Sequence, residues 1–166
     1  MEIHRYEKIW FVIALLMIVG FIATIAYGAV GAGVEMIADD GGTMDPNDVS
    51  GTEFEDPGVR QVGEDHYEVY VLSQQFLFRP GTTEPIRVPA GSTVTFYITS
   101  TDVMHGFALA GTNLNVMVIP GQVAKVTVEF EDPGEYGIVC NEYCGNGHHS
   151  MEGKVVVVPQ SQYEGP

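Results

Sequence analysis

CNEYCGNGHHSM, residues 140–151, gathers two thiols, two imidazoles and a thioether within twelve residues. Apolar, β-prone runs flank it, EYGIVC before and KVVVV after. The donors therefore sit on a loop between two strands, with Gly145 and Gly147 permitting tight backbone turns. Thiolate, imidazole and thioether together form a soft donor set suited to copper. A further histidine, His105, lies in DVMHGFAL just after the run STVTFYITS and would reach the loop from a neighbouring strand end.

Working upstream, the strand signals continue. HYEVYVLS, QFLF, IRVPAG, STVTFYITS and VAKVTVEF are short, rich in β-branched and aromatic residues, and separated by turn signals such as PAG, IPGQ and EDPGE. Pro80 and Pro85 break the runs, and STVTFYITS alternates with period two, as a half-buried strand does. Several short strands in about 100 residues predict a mainly β unit over residues 65–166, an antiparallel sandwich or barrel. Residues 35–64, rich in Asp, Gly, Pro and Ser with no apolar period, read as a linker.

Residues 1–34 form a different region. Residues 9–30 carry no charge, and as a helix they would extend about 33 Å, enough to cross a hydrocarbon core of about 30 Å. Trp10 and Tyr27 lie near the two ends, where amphipathic rings favour the interface. His4, Arg5 and Lys8 precede the run, and positive flanks stay cytoplasmic, so the β unit is expected outside the membrane. A cleaved signal peptide is the alternative. Its apolar region is usually about 7–15 residues, shorter than this one.

The net charge of −15 comes from 7 Lys and Arg against 22 Asp and Glu. Arg5 and Lys8 offset Glu2 and Glu7, so all of it belongs to residues 31–166. Such a surface repels phosphates and excludes a nucleic-acid partner. It suits a cationic protein partner or a salt-rich environment.

One upstream histidine with a Cys…His…Met loop is the donor pattern of a mononuclear blue-copper site. The second thiol departs from it. Cys140 and Cys144, four residues apart, can each bridge two metal ions, leaving each ion an imidazole and one weaker donor. A Cys140–Cys144 disulfide is the default pairing in an exported domain but leaves His105, His148 and Met151 gathered without purpose. Structural zinc rarely takes a methionine. His149 adjoins a candidate ligand and is expected to point away from the metal.

The run C-N-E-Y-C-G-x-G-H-x-x-M, with D-V-x-H-G-F upstream, resembles subunit II of cytochrome c oxidases and its binuclear copper A centre; the single anchor helix resembles the B-type enzymes. The resemblance implies a cupredoxin-like Greek-key β-sandwich behind one transmembrane helix. It implies two copper ions bridged by Cys140 and Cys144, with His105 and His148 each on one copper, and Met151 and the backbone carbonyl of Glu142 as the weak ligands. It also implies electron transfer from a cytochrome c or small blue-copper donor to haem in a partner subunit I, which would carry the oxygen chemistry. In some members the carboxylate matching Glu142 reaches a magnesium ion at the contact with that subunit. The resemblance also implies that the aromatic stretch at Phe76 and Phe78 lies close to the copper centre and to the docking surface of the donor, as electron-entry residues, although other members often carry Trp and Tyr there; core packing is the alternative for both rings. A membrane-anchored mononuclear carrier is the competing function, and it leaves Cys140 unexplained.

Overall fold

The uncharged N-terminal run folds as helix α1, Arg5–Val30, about 39 Å long at 1.5 Å per residue. Its side chains are exposed on every face, so no stripe of it packs as the amphipathic helix of a water-soluble domain does. The Thr24 hydroxyl donates to the Gly20 carbonyl at 2.9 Å, which satisfies that side chain within the helix itself. A helix of this length and composition fits a single-pass membrane segment. The computed structural model describes residues 4–30, 37–38 and 41–166; the end of the anchor and most of the first residues of the linker lie outside these.

The second unit, Glu35–Pro166, is built of strands. They are β1 (Ile37–Ala38), β2 (Val59–Gln61), β3 (His66–Gln74), β4 (Leu77–Arg79), β5 (Ile86–Pro89), β6 (Ser92–Ser100), β7 (His105–Leu109), β8 (Asn115–Val118), β9 (Ala124–Phe130), β10 (Gly134–Val139) and β11 (Glu152–Val158). One sheet runs β1-β9-β6-β3-β2, with β4 also paired to β3; the other runs β5-β11-β10-β7-β8. The chain crosses repeatedly from one sheet to the other, as a Greek-key sandwich requires.

The expectation of a purely antiparallel sandwich needs correction. β3 and β6 run parallel, as do β5 and β11, so both sheets are mixed. The prolines at 80 and 85 account for this. They end β4 and delay β5, and β5 then joins the opposite sheet, so β6 returns beside β3 in the same direction. β7 and β8, five and four residues long, were not read as strands from the sequence.

Alternation places Val69 and Val71 of β3, and Phe96 and Ile98 of β6, in the core, facing Phe107, Ile138 and Val155 from the other sheet. The central strand β6 is more buried than a half-buried strand. Its outward hydroxyls are covered as well, with Thr95 bonded to Thr127 at 3.0 Å and Thr99 donating to the Gln122 carbonyl at 2.7 Å.

The stretch read as a linker is largely fastened to the sheet. β1 pairs with β9, Thr43 bridges Gln122, and β2 pairs with β3. Phe54 is buried edge-on to Tyr70 at 5.6 Å, and the Arg60 guanidinium lies over the same ring at 4.6 Å. Polar composition hid this segment, because backbone pairing and one buried ring need no apolar period.

Candidate metal centre

One end of the sandwich carries the candidate ligands. β10 stops at Val139 and β11 starts at Glu152, which pair with each other, so residues 140–151 form the connecting loop. The Cys140 N–H donates to the Met151 carbonyl at 3.2 Å and closes the loop at its base. Inside, the His148 N–H donates to the Gly145 carbonyl and the Ser150 N–H to the Gly147 carbonyl, each at 3.0 Å, folding His148–Ser150 into a 3-10 turn. Gly145 has a φ of +132°, a conformation other residues rarely adopt. At Gly147 the reason for glycine is different. A Cβ there would stand 2.4 Å from the Phe76 ring, which packs against the loop.

These turns bring the donors together. The Cys140 and Cys144 sulfurs lie 3.7 Å apart, unbonded, and both residues are buried. Around Cys140 Sγ are His105 Nδ1 at 3.9 Å and the Glu142 carbonyl oxygen at 3.2 Å. Around Cys144 Sγ are His148 Nδ1 at 3.7 Å and Met151 Sδ at 3.6 Å. All six atoms expected from the sequence are therefore at one place. Metal–sulfur bonds of about 2.3 Å and metal–nitrogen bonds of about 2.0 Å put tetrahedral neighbours roughly 3.5–3.8 Å apart. The observed spacing fits donors arranged to share metal rather than to bond to one another. Two thiolates, two imidazoles, a thioether and a carbonyl are a copper set rather than a zinc one.

Burial, together with the neighbouring Cys140 thiol, pushes the Cys144 thiol up to about 11, so without metal it holds its proton. A bound cation displaces that proton and stabilises the thiolate.

The upstream histidine is fixed from behind. His105 is fully buried at the start of β7, and its Nε2–H donates to Asp102 Oδ1 at 2.8 Å. A carboxylate only accepts, so Nε2 carries the proton of this bond, and Nδ1 is the ring atom turned toward Cys140. Asp102 also accepts from the Val103 N–H at 2.6 Å, the Ser100 hydroxyl at 3.0 Å and the Gln75 N–H at 2.7 Å. Burial raises its carboxyl, but these bonds, led by the one from His105, outweigh burial and hold it below the usual carboxylate range.

Other residues singled out from the sequence separate clearly. His149 is exposed. Phe78 is fully buried, edge-on to Phe107 at 5.4 Å, which makes it a core residue and not part of a surface for electron uptake. Phe76 is half-buried and packs against the ligand loop at Gly145 and Gly147. Sequence reasoning missed Asp102 and Gln75. The D-x-x-H spacing at 102–105 was visible without a role attached, and nothing local marks Gln75.

The family described as "Cytochrome C oxidase subunit II, periplasmic domain" matches residues 60–158. Cytochrome c oxidase subunit 2 of Thermus thermophilus is 43% identical over 161 residues, covering 93% of each chain. Heme-copper oxidase subunit 2 of Aeropyrum pernix is 36% identical over 78 residues, 46% of this chain and 33% of that one. Among solved structures, a chain of a heme-copper terminal oxidase dimer, determined by cryo-EM, superposes with a TM-score of 0.73 at 37% identity, covering 92% of this chain and 99% of that one. The periplasmic domain of subunit II (CoxB) of Bradyrhizobium japonicum, at 19% identity and a TM-score of 0.55, covers 61% of this chain and 91% of its own and shares the fold. With the sandwich, the clustered sulfur and imidazole donors and these likenesses together, the chain belongs to the cytochrome c oxidase subunit II family and is a subunit of a haem–copper oxidase.

Proposed function

We propose that this chain receives electrons at a binuclear copper centre held by Cys140, Cys144, His105, His148, Met151 and the Glu142 carbonyl, and passes them to haem in subunit I. The observation that carries the reading is the pair of buried, unbonded sulfurs 3.7 Å apart, each with an imidazole nitrogen and a weaker donor within 3.9 Å. When bound, a copper pair supplies a one-electron store shared over both metals. The chain's own part is to hold the six donors in place, so that little rearranges when the charge changes. His105 is locked by Asp102, Met151 is buried, and the loop is pinned at its base.

The donor is a cytochrome c or a small blue-copper protein. Its landing place is the set of exposed side chains on the ligand-bearing loops: Val103 and Met104 just before His105, and Tyr143, 73% exposed, with its ring edge-on to His148 at 5.8 Å. A cationic rim on the donor would complement the acidic unit around this apolar face. Arg5 and Lys8 keep the N-terminus of α1 cytoplasmic, which puts the sandwich on the outer side of the cell membrane. The Glu142 carboxylate is the group through which a magnesium ion would join the two subunits.

Metal analysis with electron spin resonance on the copper-loaded chain tests this. Two coppers sharing one unpaired electron give seven hyperfine lines; one copper gives four and would establish the mononuclear carrier instead. Cys140→Ser and His148→Ala abolish the purple centre, and His149→Ala leaves it intact. Loss of the centre in His149→Ala would overturn the ligand assignment.

A further inference from the structure

Gln75 is an exposed residue in the turn between β3 and β4, yet its backbone N–H and its side-chain amide nitrogen each donate to a ligand-bearing loop. Its backbone N–H donates to Asp102 Oδ2 at 2.7 Å, and Asp102 Oδ1 in turn holds His105. Its side-chain amide donates to the backbone carbonyl of Cys144. Contact with the loop is close, since a Cβ on Gly145 would stand 2.7 Å from Gln75 Nε2. One residue thus ties the loop of the upstream histidine, 27 positions further along the chain, to that of the cysteines, 69 positions further along. Its neighbour Gln74 has a side chain of the same type but bonds Thr101 Oγ1, at 3.1 Å.

We propose that Gln75 is a positioning residue for the copper centre, a tether that presets the distance between His105 and the Cys144 side of the loop. The inference rests on the copper reading above. Donors that already stand at bonding separation lose little freedom when metal arrives, so removing the tether shifts the cost of ordering onto metal binding. The carbonyl of Cys144 also loses a donor beside a sulfur that must carry negative charge, which changes the electronic surroundings of the site and not only its stability.

The test uses the full chain in detergent, loaded with copper, and compares Gln75→Met, Gln75→Arg and Gln74→Ala with the wild type. Gln75→Met keeps the length of the side chain and the backbone bond to Asp102 but removes the amide donor. It is expected to release copper to a chelator about tenfold faster and to show altered hyperfine splitting. Its melting temperature without metal should stay with that of Gln74→Ala. Gln75→Arg restores an N–H donor and recovers most of the slow release, and Gln74→Ala behaves as wild type. Wild-type release from Gln75→Met, or equal acceleration in Gln74→Ala, overturns the inference. So does a fall in the metal-free melting temperature of Gln75→Met with an unchanged copper spectrum, which is what a merely structural role gives. A wild-type chain that takes up no copper sinks the copper reading itself. Wild-type uptake with unaltered Gln75→Met sinks only the role of Gln75.

Discussion

Gly147→Ala isolates the packing of the ligand loop from its coordination chemistry. Gly147 has φ −93° and ψ 6°, a negative-φ bridge conformation open to alanine, so the effect of an added methyl is chiefly steric. The added methyl would stand 2.4, 2.6 and 2.8 Å from three carbons of the Phe76 ring. Carbon atoms prefer about 3.5–4.0 Å, so ring or loop must give way by about 1 Å or more. These are atoms at the body of the ring, not the tip of a flexible chain, and overpacking of this kind costs about 1–3 kcal/mol. For a unit of this size that is roughly 3–15 °C in melting temperature. Thermal unfolding of the metal-free chain measures it. The decisive arm is a double-mutant cycle with Phe76→Ala. Removing the ring removes the clash, so Gly147→Ala should cost little in that background, with a coupling of about 1 kcal/mol or more between the two sites. Additive effects, with the alanine equally costly with and without the ring, would show that Phe76 does not pack on the loop and would refute the reasoning.

Phe78→Ala should cost about 3–5 kcal/mol of stability in denaturant unfolding, because it empties a fully buried site against Phe107, while leaving copper stoichiometry unchanged; loss of copper without loss of stability would return Phe78 to the site. Asp102→Asn replaces one of two accepting oxygens with a donor that faces either His105 or Gln75, and chelator competition should show copper affinity lower by about 10–100-fold. Unchanged affinity would mean that His105 is oriented without its carboxylate.

On the proposed reading, the acidic unit and the apolar rim of the loop divide the work of donor recognition. Exposed charges act over about 8–10 Å at ordinary ionic strength and therefore guide approach more than they fix the docked pose. Val103, Met104 and Tyr143 are exposed on the same loops as the candidate ligands, and in the proposed docking they would act only at contact. An acidic surface kept for solubility in salt would leave the second role untouched.

Residues 140–151 disclosed the site because its chemistry is local. Four side chains and a carbonyl come from one loop, and the loop's glycines and flanking strands are consecutive in the chain. The single distant candidate ligand, His105, was legible because a strand end precedes it and its imidazole has few other uses there. What was not legible lies in contacts without local signature. The parallel pairing of β3 with β6 depends on where β5 docks, and the fastening of residues 41–61 on backbone bridges and the Phe54 ring. Gln75 and Phe76 bear on the loop from about 70 positions away, and neither an exposed amide nor a half-buried ring differs in sequence from its many ordinary counterparts. The donor types name the metal, whereas their spacing before metal arrives is set by residues that only the fold brings near. Copper uptake should therefore be far more sensitive to substitutions at 75, 76 and 102 than their residue types alone suggest.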